Sequence, residues 1–234
     1  MTLIDNLREL ARKTPLKPLY DGLRRTYLNH HFRQAMKEIL NDHDKLNFDH
    51  DVLAKLCLGW GNPNAASNVE FLSECIKFAR ESSLPILECG SGLTTIIGGL
   101  VAKKNTNSYW SLENMKFWYN RVKKCLKMYQ VDSATIYYSD LKDYSDFSWY
   151  DPPLDSMPDK FSLVICDGPS NNKGGRYGLL PVMKQKLAPG CIVLLHNVDT
   201  TDEKENLERW AAYTNISYEI RGSAIPHYGV VQIK

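Results

Sequence analysis

The sequence predicts an α/β protein: a doubly wound, seven-stranded mixed sheet, mostly parallel but ending in an antiparallel hairpin, with a helical extension at its N-terminus. Two observations carry this. From Pro85 onward, short apolar runs alternate with segments of helical period, and that alternation implies parallel strands joined by right-handed crossovers. The last two runs, residues 217–221 and 228–233, are separated only by residues 222–227, too few for a helical crossover, so they pair antiparallel.

The elements follow in order. Leu3, Leu7, Leu10 and Ala11 form one amphipathic stripe, closed by Pro15 and Pro18, and Leu28, Phe32, Ala35, Met36 and Ile39 form a second. Residues 1–58 are therefore read as a helical extension, a lid or an element of a homodimer, and residues 59–234 as the main domain. Residues 1–37 carry eight Lys/Arg against three Asp/Glu, with His30-His31 besides. A basic amphipathic helix can lie on an anionic membrane, a reading ranked below packing of the stripe on protein. The strand-like runs are residues 85–89, 108–112, 134–138, 161–166 and 191–195. Between them, Trp118, Val122, Cys125, Leu126 and Tyr129 repeat at helical spacing. Leu180, Met183 and Leu187 form another stripe, stopped by Pro189-Gly190. Residues 201–213 form the last helix.

Composition narrows the function classes. The 234 residues carry 29 basic and 27 acidic side chains, a net charge of +2, which gives no electrostatic argument for nucleic acid as a partner. No apolar run is long enough to span a bilayer, and no signal-peptide core opens the chain. The cysteines Cys57, Cys75, Cys89, Cys125, Cys166 and Cys191 form no C-x-x-C pair, and three border strand-like runs, as reduced buried thiols do. A cytoplasmic protein is expected.

The most informative segment is Ile86-Leu87-Glu88-Cys89-Gly90-Ser91-Gly92-Leu93-Thr94-Thr95, a strand running into a tight Gly-x-Gly turn and then a helix from Thr94. Glycines serve where the backbone turns sharply and where a ligand approaches the main chain. Twenty-one residues after Gly92, at the end of the next strand, stands Glu113, the place of the acid that holds ribose hydroxyls in dinucleotide-type folds. The turn alone would be a β–α connection without a ligand; with Glu113 it points to an adenosine-containing cofactor. A nicotinamide site would carry a third glycine where Thr95 stands, whereas this turn opens with Glu88 and ends Thr-Thr.

In these residues the chain resembles the class I S-adenosylmethionine-dependent methyltransferases, whose first motif has the form E-x-G-x-G, and is nearest in pattern to the small-molecule O-methyltransferases. The resemblance continues through Ser111-Leu112-Glu113, Ser139-Asp140-Leu141, Cys166-Asp167-Gly168-Pro169 and Leu195-His196-Asn197, covering residues 60–234. It implies a Rossmann-like domain in which Gly90 and Gly92 line the amino-acid and ribose portion of the cofactor. Glu113 would bind the ribose hydroxyls, and Asp140 with Leu141 would frame the adenine. Gly59-Trp60-Gly61-Asn62 is similar to the segment that closes over the cofactor in related enzymes. Physically, Glu88 and Asp167 would set negative charge near the cationic groups of a sulfonium cofactor, and the helix N-terminus at Thr94 would accept its carboxylate. The alternative for Glu88 is a structural cap on the turn.

In a doubly wound sheet, catalytic residues gather beyond the strand C-termini. That rule selects Asp167, His196 and Asn197 and, across the hairpin, His227 and Tyr228. Methyl transfer is an in-line displacement in which the enzyme mainly positions the acceptor and excludes water. An oxygen or nitrogen acceptor can also call for a base near neutrality, which points to histidine. Asp167 and His196 are thus the catalytic candidates, His196 as general base or acceptor contact. Metal-dependent O-methyltransferases of the catechol and caffeoyl-CoA type place an Asp after strand four and an Asp-Asn pair after strand five. By that resemblance Asp167, His196 and Asn197 would be the metal set. Histidine at the first place of the pair weakens magnesium and leaves a softer divalent metal or none.

Lys173 and Arg176, in a Gly-rich loop, could grip an anionic acceptor, or be incidental charges of a solvated loop. Asp42-His43-Asp44 and Asp49-His50-Asp51 lie seven residues apart, about 10.5 Å along a helix and too far for one ion, so a solvated linker is expected. Residues 144–159, rich in aromatics and aspartates, could receive a cationic substrate by cation–π contact; they lead into the N-terminal end of strand four, so their C-terminal part reads as a surface connection whose aromatics cover the sheet. The function expected is methyl transfer from S-adenosylmethionine to oxygen on a small molecule or a sugar. Its alternatives are a nicotinamide-dependent oxidoreductase, disfavoured by Thr95 and the C-terminal hairpin, and a non-catalytic cofactor-binding module.

Overall fold

The computed structural model describes residues 17–41, 46, 48–61 and 68–234. The chain divides into two compact units, residues 1–69 and 70–234. The first contains α1 (Lys17–Asn41) and α2 (His50–Trp60); the boundary drawn from the sequence, between residues 58 and 59, falls inside α2. Helix α1 buries Phe32, Ala35, Met36 and Ile39, the stripe its spacing predicts. Helix α2 buries Val52, Leu53, Leu56 and Trp60. The two helices meet through the Phe32 and Trp60 rings, 5.7 Å apart, and through Lys55 Nζ, 2.9 Å from Glu38 Oε1.

Asp49-His50-Asp51 is more than a linker, since Asp49 Oδ1 accepts the Val52 N–H at 2.9 Å and caps α2. Gly61, at φ 74, ends the helix in the left-handed conformation, its N–H donating to the Leu58 carbonyl. Gly59-Trp60-Gly61 therefore terminates and packs α2. The expected helix through Leu3, Leu7, Leu10 and Ala11 lies outside the described residues, as do Asp42-His43-Asp44 and Asn62.

The second unit runs α3 (Val69–Glu81), β1 (Ile86–Cys89), α4 (Leu93–Lys104), β2 (Tyr109–Glu113), α5 (Lys116–Met128), β3 (Ala134–Tyr138), β4 (Leu141–Asp143), β5 (Ser148–Tyr150), β6 (Phe161–Cys166), α6 (Leu179–Met183), β7 (Leu187–His196), α7 (Thr201–Tyr213), β8 (Ile216–Arg221) and β9 (Tyr228–Ile233). Seven strands form one sheet in the order β3-β2-β1-β6-β7-β9-β8. All pair parallel except β9, which is antiparallel to both β7 and β8. The expected mixed sheet with an antiparallel C-terminal hairpin is what the chain forms. β1 and β6 are apolar along nearly their whole length because helices cover both faces of a parallel sheet. Cys89 is level with Leu112 on one side and Cys166 on the other, so the ends of β1, β2 and β6 open onto one edge.

Two segments depart from expectation. Leu187 does not extend a helical stripe: α6 stops at Met183, and Leu187 opens β7 by pairing with Phe161. Pro189 and Gly190 sit exposed within an irregularity of that pairing instead of stopping a helix. Strand pairing with buried Phe161 outweighs the local period. Within residues 144–159 the aromatics cover the sheet as expected, Phe147, Trp149 and Tyr150 packing into its core, but they do so from a ribbon that the sequence did not show. β4 and β5 form a separate antiparallel ribbon whose Trp149 and Tyr150 are wholly buried. Asp151 N–H donates to the Asp140 carbonyl at 3.0 Å and Ser139 Oγ to the Asp151 carbonyl at 2.9 Å, which holds the ribbon at the C-terminal end of β3. The six cysteines are thiols that form no disulfide, four of them buried. Among the described residues, no helix is long and apolar enough to cross a membrane.

Candidate active site

The glycine turn is shaped by backbone crossing backbone. Gly90 has φ 90, and a Cβ there would lie 2.8 Å from Gly168 N; a Cβ on Gly168 would lie 2.6 Å from Tyr150 Oη. Only glycine fits either position. Gly90 N–H donates to the Leu112 carbonyl at 2.9 Å and Gly168 N–H to the Cys89 carbonyl at 2.6 Å. Gly90, Ser91 and Gly92 are half-buried between a buried strand and a buried helix, so the turn's main chain is the accessible part.

Glu88 is wholly buried and accepts hydrogen bonds from the hydroxyls of Thr94, Thr95 and Ser111, the last at 2.7 Å. Burial pushes its carboxyl up to about 7, against the pull of those hydroxyls. Thr95 Oγ1 also accepts the Gly92 N–H at 2.9 Å, so the residue that displaces a third glycine ties the turn to the helix. The contacts Glu88 makes are those of a cap on the turn. Neither it nor Thr94, 5% exposed, presents its side chain outward.

Glu113 reaches across to the turn. Its Oε2 accepts from Ser91 N–H at 3.0 Å and Ser91 Oγ at 2.7 Å, and its Oε1 accepts from Met115 N–H at 2.7 Å. Burial raises its carboxyl, opposed by the Met115 and Ser91 hydrogen bonds. Glu113 is itself 3% exposed, and the Asn114 N–H also acts on its carboxylate. Ser91, not singled out from the sequence, is the residue that joins turn and acid; its signal was its place inside Gly-x-Gly. Ser139 N–H donates to the Glu113 carbonyl at 2.9 Å, bringing exposed Asp140 and half-buried Leu141 to the same edge. Gly90, Gly92, Glu113, Asp140 and Leu141 are thus gathered around one group of strand ends.

At the ends of β6 and β7 a second cluster forms. His196 Nδ1 lies 2.8 Å from Asp167 Oδ1. Arg176 Nη2 donates to the same oxygen at 3.2 Å and to the Asp167 carbonyl at 2.9 Å, while its Nη1 donates to the His196 carbonyl and lies 3.4 Å from Glu203 Oε1. Glu203 Oε2 accepts from Asn206 Nδ2 at 3.2 Å. Burial disfavours the Arg176 charge, but Asp167 and Glu203 outweigh it and raise its pKa; burial raises Glu203, opposed by Arg176. Arg176 is 6% exposed and held within this cluster, so it does not grip an acceptor. Lys173 is exposed, its ammonium on the Ser145 carbonyl. Glu203 and Asn206, on α7, gave no sequence signal beyond helical spacing.

The metal set fits poorly. Asp167 Oδ1 takes both the imidazole and a guanidinium, which repels a cation, and His196 turns Nδ1 to that carboxylate. Half-buried Asn197, at φ 57, is left. Among the described residues, no three His, Cys, Asp or Glu side chains are grouped to hold a metal. His196 is 5% exposed; its Nε2 is buried without a hydrogen-bond partner, and its ring centroid lies 4.6 Å from that of Phe71. A second pair lies one residue beyond: His227 Nδ1 is 2.7 Å from Asp199 Oδ1, and His227 N–H donates to Asp199 Oδ2 at 2.7 Å. Tyr228 is buried opposite His196.

No family model matches the chain, and no curated protein matches it by sequence. Solved structures do resemble it. The Bacillus cereus O-methyltransferase in complex with SAH has a TM-score of 0.57 at 12% identity, covering 87% of this chain and all 100% of the other. The Streptomyces achromogenes O-methyltransferase TomG, involved in tomaymycin synthesis and solved with SAM, scores 0.57 at 13% identity, covering 84% and 96%. SAH-bound Podospora anserina methyltransferase PaMTH1 scores 0.55 at 14% identity, covering 89% and 93%. The fold of this chain is the Rossmann-like fold of class I S-adenosylmethionine-dependent methyltransferases.

Proposed function

We propose that the protein is a methyltransferase that uses S-adenosylmethionine to methylate oxygen on a small molecule or a sugar. The observation that carries this is the Glu113 clasp, an acid at the end of β2 bonded to Ser91 inside a turn whose accessible surface is main chain. The cradle fits the cofactor: Gly90 and Gly92 offer close approach, and Glu113 can accept a ribose hydroxyl. Asp140 and Leu141 flank the adenine, while Glu88 and Thr94 hold the turn that presents the main chain. When bound, S-adenosylmethionine supplies a methyl group activated on sulfonium. Enclosed His196 and half-buried Asp167 form the wall behind the acceptor, where they position it and exclude water. No step is assigned to a metal, because Arg176 stands against Asp167.

Ligand binding tests this directly. S-adenosylhomocysteine should raise the melting temperature of the wild type, Glu113→Ala should abolish the rise, and tritium from labelled S-adenosylmethionine should reach an oxygen acceptor in a screen of phenols and sugars. A melting temperature unmoved by saturating S-adenosylhomocysteine would refute the assignment.

A further inference from the structure

We infer that Asp199 and His227 are the proton-accepting pair for a hydroxyl acceptor, an inference that rests on the methyl-transfer reading above. Two His–Asp pairs stand at this end of the sheet, and they differ in access. His196 is enclosed, with Nε2 buried. The His227 side chain is 33% exposed, and none of the described residues hydrogen-bonds to its Nε2. A base must come within hydrogen-bond reach of the proton it takes, which an enclosed nitrogen does less readily than an open one.

The open pair is also rigidly aimed. One Asp199 oxygen takes the His227 main-chain N–H and the other takes Nδ1, while the His227 carbonyl accepts Val198 N–H at 3.0 Å. Anchoring the hairpin alone would need only the main-chain bonds; the second carboxylate oxygen fixes the ring. An acceptor on Nδ1 selects the tautomer with Nδ1 protonated and the lone pair on Nε2. The His227 hydrogen bond holds the Asp199 carboxyl below its ordinary range, ahead of the opposing effect of burial. The other charges facing the pair are engaged or peripheral. Glu70 on α3 is bound by Ser223, Arg221 on β8 is paired with Glu74 and Glu219, and Lys204 on α7 acts on Asp199. In the step itself, the acceptor oxygen bonds the methyl carbon as the carbon–sulfur bond breaks onto sulfur. The hydroxyl proton passes to His227 Nε2, and Asp199 balances the imidazolium.

The test uses the full-length protein, His227→Gln and Asp199→Asn. Diethyl pyrocarbonate followed by mass spectrometry should modify His227 well before His196. All three proteins should keep the thermal shift with S-adenosylhomocysteine. With phenol and 4-nitrophenol as probe acceptors, His227→Gln should lose roughly 100-fold in transfer to phenol and much less to the more acidic nitrophenol, which needs no base. Asp199→Asn should show the same selectivity, losing more transfer to phenol than to 4-nitrophenol. Equal losses on both phenols, an unreactive His227, wild-type rates in His227→Gln, or no wild-type transfer to either probe with the thermal shift intact would overturn the pair's role. Loss of the shift in the wild type would instead overturn the methyl-transfer reading beneath it.

Discussion

Glu88 and Glu113, at the ends of β1 and β2, are buried among hydroxyls and main-chain N–H groups; half-buried Asp167, at the end of β6, and buried Glu203, on α7, surround a guanidinium. The two centres share one edge of one sheet, yet neutralise negative charge by opposite means. Neutral donors spread a carboxylate's charge without cancelling it, so Glu88 and Glu113 both have raised pKa values with burial as the first cause. At the second centre the cation is part of the fold, and the acids depend on it.

Removing the guanidinium should have the largest effect. Arg176→Met leaves buried Glu203 without its cation and half-buried Asp167 with His196 alone, a loss on the order of 3–5 kcal/mol in urea unfolding. Adding Glu203→Gln should recover part of it. A loss under about 1 kcal/mol, the range of an exposed pair, would erase the distinction between the centres.

The first centre should respond to pH instead. Glu88 has a carboxyl raised from 4.5 to about 7, so between those values the folded protein keeps a proton that the unfolded chain has lost. Its contribution is fully present below pH 4.5 and is lost as pH rises to about 7. Glu88→Gln, which cannot titrate, should therefore gain on the wild type by about 3 kcal/mol across that window, read from unfolding at pH 5 and pH 8. A constant difference would mean that Glu88 ionises in the fold as it does in water.

These centres were unequally legible in the sequence. The turn, Glu88 and Glu113 could be found because their partners are near in the chain or at a fixed spacing: Thr94 and Thr95 follow Glu88, and Glu113 ends the next strand. Strand periods predicted the sheet order's ingredients for the same reason. Arg176 was visible only as a charge in a Gly-rich loop, since its partners come from β6, β7 and α7 and meet only after the sheet assembles. The β4–β5 ribbon was missed likewise: each strand is three residues long, too short for a period, and buried Trp149 read as a cover for the sheet.

Where the two centres touch, the effect should be intermediate. Gly168 follows Asp167 and abuts Gly90, with a Cβ at 168 lying 2.9 Å from Gly90 Cα. Gly168→Ala forces that crossing apart and should cost about 1–3 kcal/mol, with weaker binding of S-adenosylhomocysteine because the turn shifts with it. Retained affinity at reduced stability would separate the turn's geometry from the packing beneath it.

The smallest effect belongs to the hydroxyl between the centres. Tyr150 Oη lies beneath Gly168 and is buried with no hydrogen-bond partner. Burial pushes this phenol well above its ordinary range, Cys89, Glu113 and Cys166 push it further, and Arg176 pulls the other way, so charges of both centres act on one oxygen. An unpartnered buried hydroxyl gives up its hydration without return, so Tyr150→Phe should leave stability unchanged or raise it by up to about 1 kcal/mol. Calorimetric titration with S-adenosylhomocysteine gives the second half of the result. Unchanged affinity would make Tyr150 packing alone, and the separation of the centres would stand. A tenfold loss would mean that ligand binding opens the Gly90–Gly168 crossing to reach this oxygen, and that the two centres respond to the cofactor as one.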